Sequence, residues 1–235
     1  MSKRILVVGG STGIGAFLSR EFSISGAKVF SIGRRPLDKW QDVGESEKIL
    51  LDISDSEGLY NLLENKFDRD NFPGCVVNCV GLGSGQLFMS SDSQNWQDSI
   101  EANLLQPLNL QNEFTKRATA YQTPMTSIMF SSLATEVIQA GNSVYGASKA
   151  ALARAHKGMA LEYKKFGHVF YTLSPSLIHE TPMVESLPEK AMTDYQNHLI
   201  FNSIELHEIY ALVKFLIENR PKSMSGTEIQ IGGTR

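Results

Sequence analysis

Short apolar runs alternate along the chain with longer stretches in which apolar residues recur at helical spacing. The runs predict seven strands, near residues 4–9, 28–32, 48–51, 75–80, 126–131, 168–173 and 227–231. The longer stretches predict five helices, near residues 13–25, 55–66, 95–121, 143–166 and 205–219. Strands that alternate with helices in this way form a parallel sheet through right-handed crossovers. We therefore expect an α/β protein with a doubly wound parallel sheet of about seven strands and helices on both faces, in three α/β/α layers.

The stretch 177–203 breaks this alternation, because it mixes prolines, methionines and charges ahead of the last predicted helix and strand. We expect it to be a mobile cover over an active site; a surface insertion of no consequence is the alternative. Elsewhere no repeat, low-complexity tract or linker interrupts the pattern. Residues 1–235 are therefore predicted to form a single domain.

Composition narrows the class of protein. The chain has 235 residues, 42% of them hydrophobic, which is enough to bury a substantial core. Its net charge of −3 argues against a nucleic-acid surface, and no apolar stretch approaches the ~18 residues of a membrane span. Cys75 and Cys79 are interpreted as buried thiols, and the scattered histidines do not have metal-binding spacing. We expect a cytoplasmic protein that binds no metal, nucleic acid or membrane.

A glycine-rich turn follows the first predicted strand. Gly9, Gly13 and Gly15 lie between that strand and a predicted amphipathic helix. Such a turn lets the backbone approach a pyrophosphate, which then rests at the N-terminus of the helix. The hydroxyl groups of Ser11 and Thr12 could add contacts to phosphate or ribose. Nucleotide binding is our interpretation, and an ordinary glycine loop is the alternative.

Tyr145 and Lys149 lie four residues apart in a predicted helix, and therefore on the same face. An ammonium group one turn away favours the phenolate, so we expect Lys149 to lower the pKa of Tyr145. Such a phenol can exchange a proton with a carbonyl or alcohol near neutral pH. Ser132, near the end of a predicted strand, could hold the same oxygen. The alternative is an isolated Tyr–Lys pair on a helix surface.

The order of these motifs resembles the short-chain dehydrogenase/reductase family over nearly the whole chain. The matching segments are Gly9-x3-Gly13-x-Gly15, Asp52, Asn78-Cys79-Val80-Gly81, Asn103, Ser132, Tyr145-x3-Lys149, Ser174-Pro175-Ser176, Thr181-Pro182-Met183 and the last strand, 226–233. The resemblance implies a Rossmann-like fold and hydride transfer with a nicotinamide cofactor.

The resemblance also implies a role for individual residues. The implied catalytic residues are Asn103, Ser132, Tyr145 and Lys149. Asn103 is expected to perturb its helix and hold a water that links Lys149 to solvent. The implied cofactor-binding residues are Gly9, Ser11, Thr12, Gly13, Ile14, Gly15, Arg34, Arg35, Asp52, Ile53, Asn78, Val80, Gly81, Tyr145, Lys149, Pro175 and Thr181.

The end of the second predicted strand bears on the choice between NAD and NADP. The resemblance places Gly33 where NAD-preferring enzymes commonly have a carboxylate, and Arg34 and Arg35 follow. Guanidinium groups match the 2′-phosphate of NADP, so we expect NADP (NADPH) to be preferred. A solvated turn is the alternative, and Asp38 is less well placed for a ribose. The resemblance implies that the Asp52 side chain contacts the adenine. The alternative is that Asp52 caps the next helix, although Ser54 or Asp55 is the favoured cap.

The sequence departs from the family pattern at a few positions. The usual Asn-Asn-Ala-Gly is Asn78-Cys79-Val80-Gly81, and Ser176 replaces the glycine that usually follows Pro175. The segment from there to Thr181 is one residue longer. These changes put the geometry beside the nicotinamide in question, and His179 is a minor candidate for a substrate contact there.

The expected function is reduction of a small-molecule carbonyl by NADPH, or oxidation of the matching alcohol. A non-catalytic NADP(H)-binding sensor or scaffold of the same fold is the alternative, and a nucleotide-sugar enzyme is disfavoured by the chain length. Substrate contacts are expected in the segments 82–88 and 133–142 and in the cover. The long helices 95–121 and 143–166 carry apolar residues beyond one stripe, which predicts a homodimer or homotetramer.

Overall fold

The computed structural model describes residues 3–35, 46–83, 86–178, 181–185, 189–201 and 203–234. Within these ranges, seven parallel strands form one sheet in the order β3-β2-β1-β4-β5-β6-β7. The strands are β1 (Arg4–Val8), β2 (Lys28–Gly33), β3 (Ser46–Leu50), β4 (Cys75–Asn78), β5 (Thr126–Phe130), β6 (Val169–Pro175) and β7 (Glu228–Ile231). The predicted fold class is confirmed. The strand order reverses between β1 and β4, and ligands bind at the carboxyl ends of strands beside such a reversal.

Eight α-helices are found among the described residues, and they cover both faces of the sheet. They are α1 (Gly13–Ile24), α2 (Ser56–Lys66), α3 (Ser93–Ile100), α4 (Gln106–Ala120), α5 (Ser143–Tyr163), α6 (Pro182–Glu185), α7 (Glu189–Gln196) and α8 (Leu206–Asn219). In this part of the chain no helix is long and apolar enough to cross a bilayer.

The two faces of the sheet explain why its inner strands are continuous apolar runs. Along β1, Ile5 and Val7 face a core shared with α1 and α8, whereas Leu6 and Val8 face a core shared with α2 and α4. Side chains alternate between the faces of a strand, so a strand covered on both faces has apolar residues at every position. The hydrophobic pattern therefore located the strands well.

The predicted helix 95–121 is not a regular α-helix. α3 and α4 are joined through a π-helical stretch, Glu101–Leu105, that contains Asn103. Pro107 lies four residues after Asn103 and has no N–H to donate to the Asn103 carbonyl, and a proline ring also clashes with a carbonyl at that spacing. The helix therefore widens at Asn103, as the family resemblance implied, and π-helical turns of this kind frequently occur at functional sites.

The expected cover segment lies across the carboxyl edge of the sheet. α6, α7 and the residues after them contribute Val184, Tyr195 and Leu199 to an apolar cluster with Leu133 and Leu177, which follow β5 and β6. Leu199 also forms an antiparallel bridge with Thr234. The segment is therefore packed onto the sheet edge; its mobility stays a prediction.

Candidate active site

The glycine turn forms a bare backbone cradle at the end of β1. Gly9 and Gly13 have φ angles of 82° and 54°, a region that glycine adopts without strain. A Cβ atom on Gly15 would overlap the Gly9 carbonyl, and one on Gly10 would overlap the Ser31 hydroxyl. No side chain fits here, so the backbone is free to approach a large ligand.

The cradle leads directly into α1. Thr12 is the N-cap residue, and its side chain makes no capping hydrogen bond within the described structure. The first turn of α1 carries no acidic residue. Its N–H groups and the positive end of the helix dipole therefore favour an anion, and the site fits the pyrophosphate of a dinucleotide. Ile14 lies in this turn and packs on the core.

Thr181 comes from the cover and lies beside the cradle. A Cβ on Gly13 would lie 3.6 Å from the methyl carbon of Thr181, which is ordinary contact. The Thr181 hydroxyl donates a 2.8 Å hydrogen bond to the Ile178 carbonyl, so its position is fixed by the chain that follows β6. Pro175, at the end of β6, is buried.

The end of β2 carries no carboxylate, because residue 33 is a glycine. A Cβ on Gly33 would overlap the Ser11 hydroxyl. That hydroxyl donates a 3.0 Å hydrogen bond to the Arg35 carbonyl, so Ser11 ties the glycine turn to the arginine pair. Arg34 and Arg35 are both exposed. Asp38 lies outside the described residues.

Asp52 faces the arginine pair and does not cap α2. Its carboxylate lies 3.7 Å from an Arg34 guanidinium nitrogen and accepts a 3.0 Å hydrogen bond from the Ser54 N–H. Burial acts to raise the pKa of Asp52, but the Ser54 hydrogen bonds and Arg34 outweigh it and hold the pKa below its usual value. Asp55 is the N-cap, as its 2.9 Å bond from the Gly58 N–H shows. The side chain of Ile53 is buried in the core, so only its backbone could meet a cofactor.

The end of β4 and the turn after it bring Asn78, Val80 and Gly81 to the carboxyl edge of the sheet, where the glycine cradle also lies. The Asn78 Oδ1 atom accepts a 3.0 Å bond from the Val80 N–H, whereas its buried Nδ2 atom has no partner among the described residues. A Cβ on Gly81 would lie 3.0 Å from the Lys149 Nζ and 3.4 Å from the Asn103 Oδ1. Because Gly81 has no side chain, the Lys149 Nζ atom and the Asn103 Oδ1 atom can both lie close to its backbone.

Asn103 ties its π-helical turn to the loop after β4. Its Oδ1 atom accepts from the Leu82 N–H at 2.8 Å, and its Nδ2 atom donates to the Leu82 carbonyl at 2.9 Å. The side chain is completely buried. This paired amide contact fixes the loop that carries Val80 and Gly81.

Ser132 and Tyr145 meet at the end of β5. Tyr145 is buried, and its hydroxyl shares a side-chain hydrogen bond with Ser132. Burial raises the pKa of Tyr145, and the Ser132 hydrogen bond only partly opposes this. The phenol therefore remains protonated near neutral pH in this structure and is available as a proton donor.

The expected lowering of the Tyr145 pKa by Lys149 is wrong for this structure. The Lys149 ammonium donates to the carbonyls of Phe130 at 3.0 Å and Val80 at 3.3 Å. It is thus directed to the ends of β4 and β5 and not to the phenol. Burial lowers the pKa of Lys149 to about 8. Helical spacing placed the two residues on one face but did not determine where the long lysine side chain ends.

One residue near this centre was missed by the sequence analysis. Tyr195, on α7, is buried, and the Tyr145 phenol adds to the rise in its pKa that burial causes. The two phenols therefore interact electrostatically. No motif or regular spacing marked Tyr195, because it lies in the irregular cover segment.

Ser176, His156 and His168 are not brought into the centre. The Ser176 hydroxyl lies against Gly232 and has no hydrogen-bond partner in the described structure, and His179 lies outside the described residues. His156 and His168 are buried and hydrogen-bonded within the core. Across the described ranges, no group of three or more His, Cys, Asp or Glu side chains could hold a metal ion.

A family profile and two named relatives agree on the family that the chain resembles. The short chain dehydrogenase family profile matches residues 3–192. The chain is 26% identical to the 3-oxoacyl-[acyl-carrier-protein] reductase FabG of Salmonella typhimurium, over 98% of this chain and 96% of that protein. It is 24% identical to the carbonyl reductase [NADPH] 2 of Sus scrofa, over 96% of this chain and 93% of that protein.

A solved structure supports the same fold. That of a 4-hydroxyisoleucine dehydrogenase complexed with NADH superposes with a TM-score of 0.85 at 21% identity, and covers 99% of this chain and 98% of that one. Together with the profile match over most of the sequence, the glycine cradle and the cluster of Ser132, Tyr145 and Lys149 at one sheet edge lead to one conclusion: the chain belongs to the short chain dehydrogenase family.

Proposed function

We propose that this protein is an NADPH-dependent oxidoreductase that reduces the carbonyl group of a small molecule, or oxidises the matching alcohol. The observation that carries the proposal is the hydrogen-bonded pair of Ser132 and Tyr145, buried beside Lys149 at the edge of the sheet that carries the glycine cradle. The relatives named 3-oxoacyl-[acyl-carrier-protein] reductase and carbonyl reductase support carbonyl chemistry.

When bound at the glycine cradle, NADPH would supply the hydride that the carbonyl carbon gains, and NADP⁺ would remain. Ser132 and Tyr145 both donate hydrogen bonds to the carbonyl oxygen, and Tyr145 transfers its proton to that oxygen as the alcohol forms. The raised pKa of Tyr145 suits this direction, because it keeps the acid protonated until the oxygen becomes basic. Hydride and proton together account for both hydrogens gained by the substrate.

Lys149 and Asn103 would return the proton to the Tyr145 phenolate. Lys149 lies one helical turn from Tyr145, so in this proposal its ammonium turns from the Phe130 and Val80 carbonyls toward the phenolate once that charge forms. Its Nζ atom and the Asn103 Oδ1 atom flank Gly81. The carbonyl of Asn103, which Pro107 cannot bond, would hold a water on the route to solvent.

The preference for NADPH rests on the end of β2. Gly33 supplies no carboxylate that could bind a ribose 2′-hydroxyl, and a Cβ there would overlap the Ser11 hydroxyl. The exposed guanidinium groups of Arg34 and Arg35 support the proposal, because a guanidinium matches the oxygens of a 2′-phosphate. Asp52 would hold Arg34 at the adenine end of the site.

The direct test is NADPH oxidation measured by absorbance against a varied set of ketones, aldehydes and keto esters. We expect turnover of some of these compounds with NADPH and weaker turnover with NADH. Tight NADPH binding in calorimetry with no turnover of any carbonyl, or of any alcohol with NADP⁺, would instead support a sensor of the same fold.

A further inference from the structure

Three consecutive residues at the end of β5 contact the first turns of α5. The carbonyl of Phe130, the last residue of the strand, accepts a 3.0 Å hydrogen bond from the Lys149 ammonium. The hydroxyl of the next residue, Ser131, donates a 3.1 Å hydrogen bond to the backbone carbonyl of Lys149. Ser132 follows and bonds the Tyr145 phenol. The strand end and this part of the helix are therefore joined at each successive residue.

The backbone of Ser131 is held by the sheet. Its N–H donates a 2.8 Å hydrogen bond to the Leu173 carbonyl of β6, which continues the pairing of β5 with β6 by one residue. The residue is only 5% exposed, and its hydroxyl is the group that reaches α5. Because the donor is fixed to the sheet and the acceptor belongs to the helix backbone, this hydrogen bond sets where Lys149 lies relative to β5.

The loop after β5 packs on the same part of α5. A Cβ atom on Gly146 would lie 2.8 Å from the Ala134 carbonyl oxygen, which is closer than non-bonded atoms approach. The Ala134 N–H in turn donates a 3.2 Å hydrogen bond to the Ser132 Oγ atom. The residue that follows Tyr145 is therefore pressed against the loop that orients Ser132, and a small displacement of α5 would change the distance between these two side chains.

We propose that Ser131 is a positioning residue for the proposed reaction: its hydroxyl holds the first turns of α5 against the end of β5 and so keeps Tyr145 beside Ser132. This inference rests on the proposed function. The Ser131 hydroxyl is directed to the helix backbone, so it acts through Tyr145 and not on the substrate. Proton transfer requires closely placed groups, and a misplacement of about 1 Å can lower a rate about 10²-fold.

A neighbouring serine provides a matched control. Ser148 is also buried, and its hydroxyl donates a 2.7 Å hydrogen bond to the backbone carbonyl of Tyr145. That bond stays within α5, whereas the bond from Ser131 joins the helix to the strand. In a helix each backbone carbonyl also accepts the N–H four residues further on. Neither Ser131→Ala nor Ser148→Ala therefore leaves a buried helix carbonyl without a partner, and both variants are expected to fold.

The test measures kcat and KM with NADPH and the ketone, aldehyde or keto ester that the wild type reduces fastest. The single variants are Ser131→Ala, Ser148→Ala and Ser131→Cys, the last of which fills the same space with a much weaker donor. Ser131→Ala is also combined with Tyr145→Phe, and this double variant is compared with Tyr145→Phe alone. Thermal unfolding and the Kd for NADPH show whether each variant keeps the fold and the cofactor site.

We expect Ser131→Ala and Ser131→Cys to lower kcat about tenfold or more, because the acid is less well placed. Their KM and their Kd for NADPH should change less than about threefold, since the loss lies in the transition state. Ser148→Ala should keep kcat within about twofold of the wild type. In the Tyr145→Phe background there is no phenolic proton to place, so Ser131→Ala should lower kcat less than about twofold further.

Three results would overturn the role of Ser131 while leaving the proposed function intact. The first is an unchanged kcat in Ser131→Ala. The second is an equal loss of kcat with and without the Tyr145 phenol, and the third is failure of both Ser131 variants to fold; each of these two indicates a structural role. If the wild type turns over no carbonyl compound with NADPH, the proposed function itself fails, and the inference fails with it.

Discussion

At the scale of single residues, glycine positions set the shape of the cofactor site. Gly33 lies against Ser11, and Gly81 lies against Lys149 and Asn103. In both places the absent side chain is what lets functional groups approach one another. The sequence marked Gly9, Gly13 and Gly15 as a phosphate turn, but it could not mark the Gly33–Ser11 contact, because that contact joins residues brought together only by the pairing of β1 with β2.

The first prediction at this scale concerns the choice of cofactor. Arg34→Ala combined with Arg35→Ala should raise the Kd for NADPH at least about tenfold, because charge-assisted hydrogen bonds are worth roughly 1.5–3 kcal/mol each. The Kd for NADH, which lacks the 2′-phosphate, should change little. Calorimetric titration measures both values, and Arg20→Ala, an arginine on α1, is the control. Equal weakening of both cofactors would exclude a 2′-phosphate contact.

A second prediction concerns the buried histidine of α5. His156 is hydrogen-bonded to the hydroxyls of Ser127 at 2.9 Å and Thr172 at 3.0 Å, and burial lowers its pKa to about 3. Between that value and the ordinary pKa of about 6.5, the unfolded chain binds a proton at this position and the folded protein does not. His156 therefore makes the protein less stable as the pH falls, by about 2 kcal/mol at pH ~5.

Urea unfolding at about pH 7.5 and pH 5 tests this sign. His156→Gln should lose stability at the higher pH, because hydrogen bonds are removed, but its further loss on acidification should be smaller than that of the wild type by about 2 kcal/mol. His207→Gln, on α8, is the matched control. If His156→Gln and the wild type lose the same stability on acidification, His156 is not held neutral in the fold.

At the scale of elements, the irregular junction of α3 and α4 positions a residue of the candidate site. Its π-helical turn buries Asn103, whose amide bonds both backbone groups of Leu82. The widened turn has one visible cause, Pro107, which withholds the N–H that a regular helix would give to residue 103. The sequence contained this signal, but the apolar pattern on either side continued and predicted one unbroken helix.

Asn103→Ala should loosen the loop after β4. Leaving the Leu82 N–H and carbonyl without partners costs about 1–3 kcal/mol, so the amide of Leu82 should exchange with deuterium much faster than in the wild type. Because this loop carries Val80 and Gly81, kcat should fall as well. Asn219→Ala, at the end of α8, where the side chain donates a 2.9 Å hydrogen bond to the Phe215 carbonyl on the surface, is the control. Unchanged exchange at Leu82 would contradict the tethering role.

The sequence predicted some elements and site residues well and missed others, for physical reasons. The inner strands were located because they are buried on both faces, and the site motifs were located because glycine, serine, tyrosine and lysine stand at characteristic spacings. Tyr195 was not found, since α7 lies in an irregular segment whose position depends on packing against Leu133 and Leu177. The direction of the Lys149 ammonium was also missed, because four flexible bonds separate it from the helix.

At the scale of the whole molecule, α4 and α5 leave an open groove of about 750 Å³ between them. Leu108, Ala151, Ala155 and Met159 line it together with polar residues. Small and apolar side chains on a pair of helices suit close contact with the same face of a second copy, related by a two-fold axis. The groove lies between the two long helices whose apolar residues led us to expect a homodimer or homotetramer.

We therefore predict that light scattering at micromolar concentration gives at least twice the chain mass of 26.0 kDa. Ala155→Glu places a charge in the groove and should shift the mass toward that of a single chain. Ala211→Glu, on the exposed face of α8, should leave the mass unchanged. An active wild-type protein that runs as a monomer would show that these helices do not form the interface.

The most direct test of the account is the effect of Tyr145→Phe on carbonyl reduction by NADPH. The variant removes one hydroxyl and keeps the ring, so the fold and the Kd for NADPH should stay close to those of the wild type. The kcat for any carbonyl substrate of the wild type should fall about 10²–10⁴-fold, because the proton donor is lost. A variant that keeps near wild-type kcat would contradict the assignment of Tyr145 as the acid.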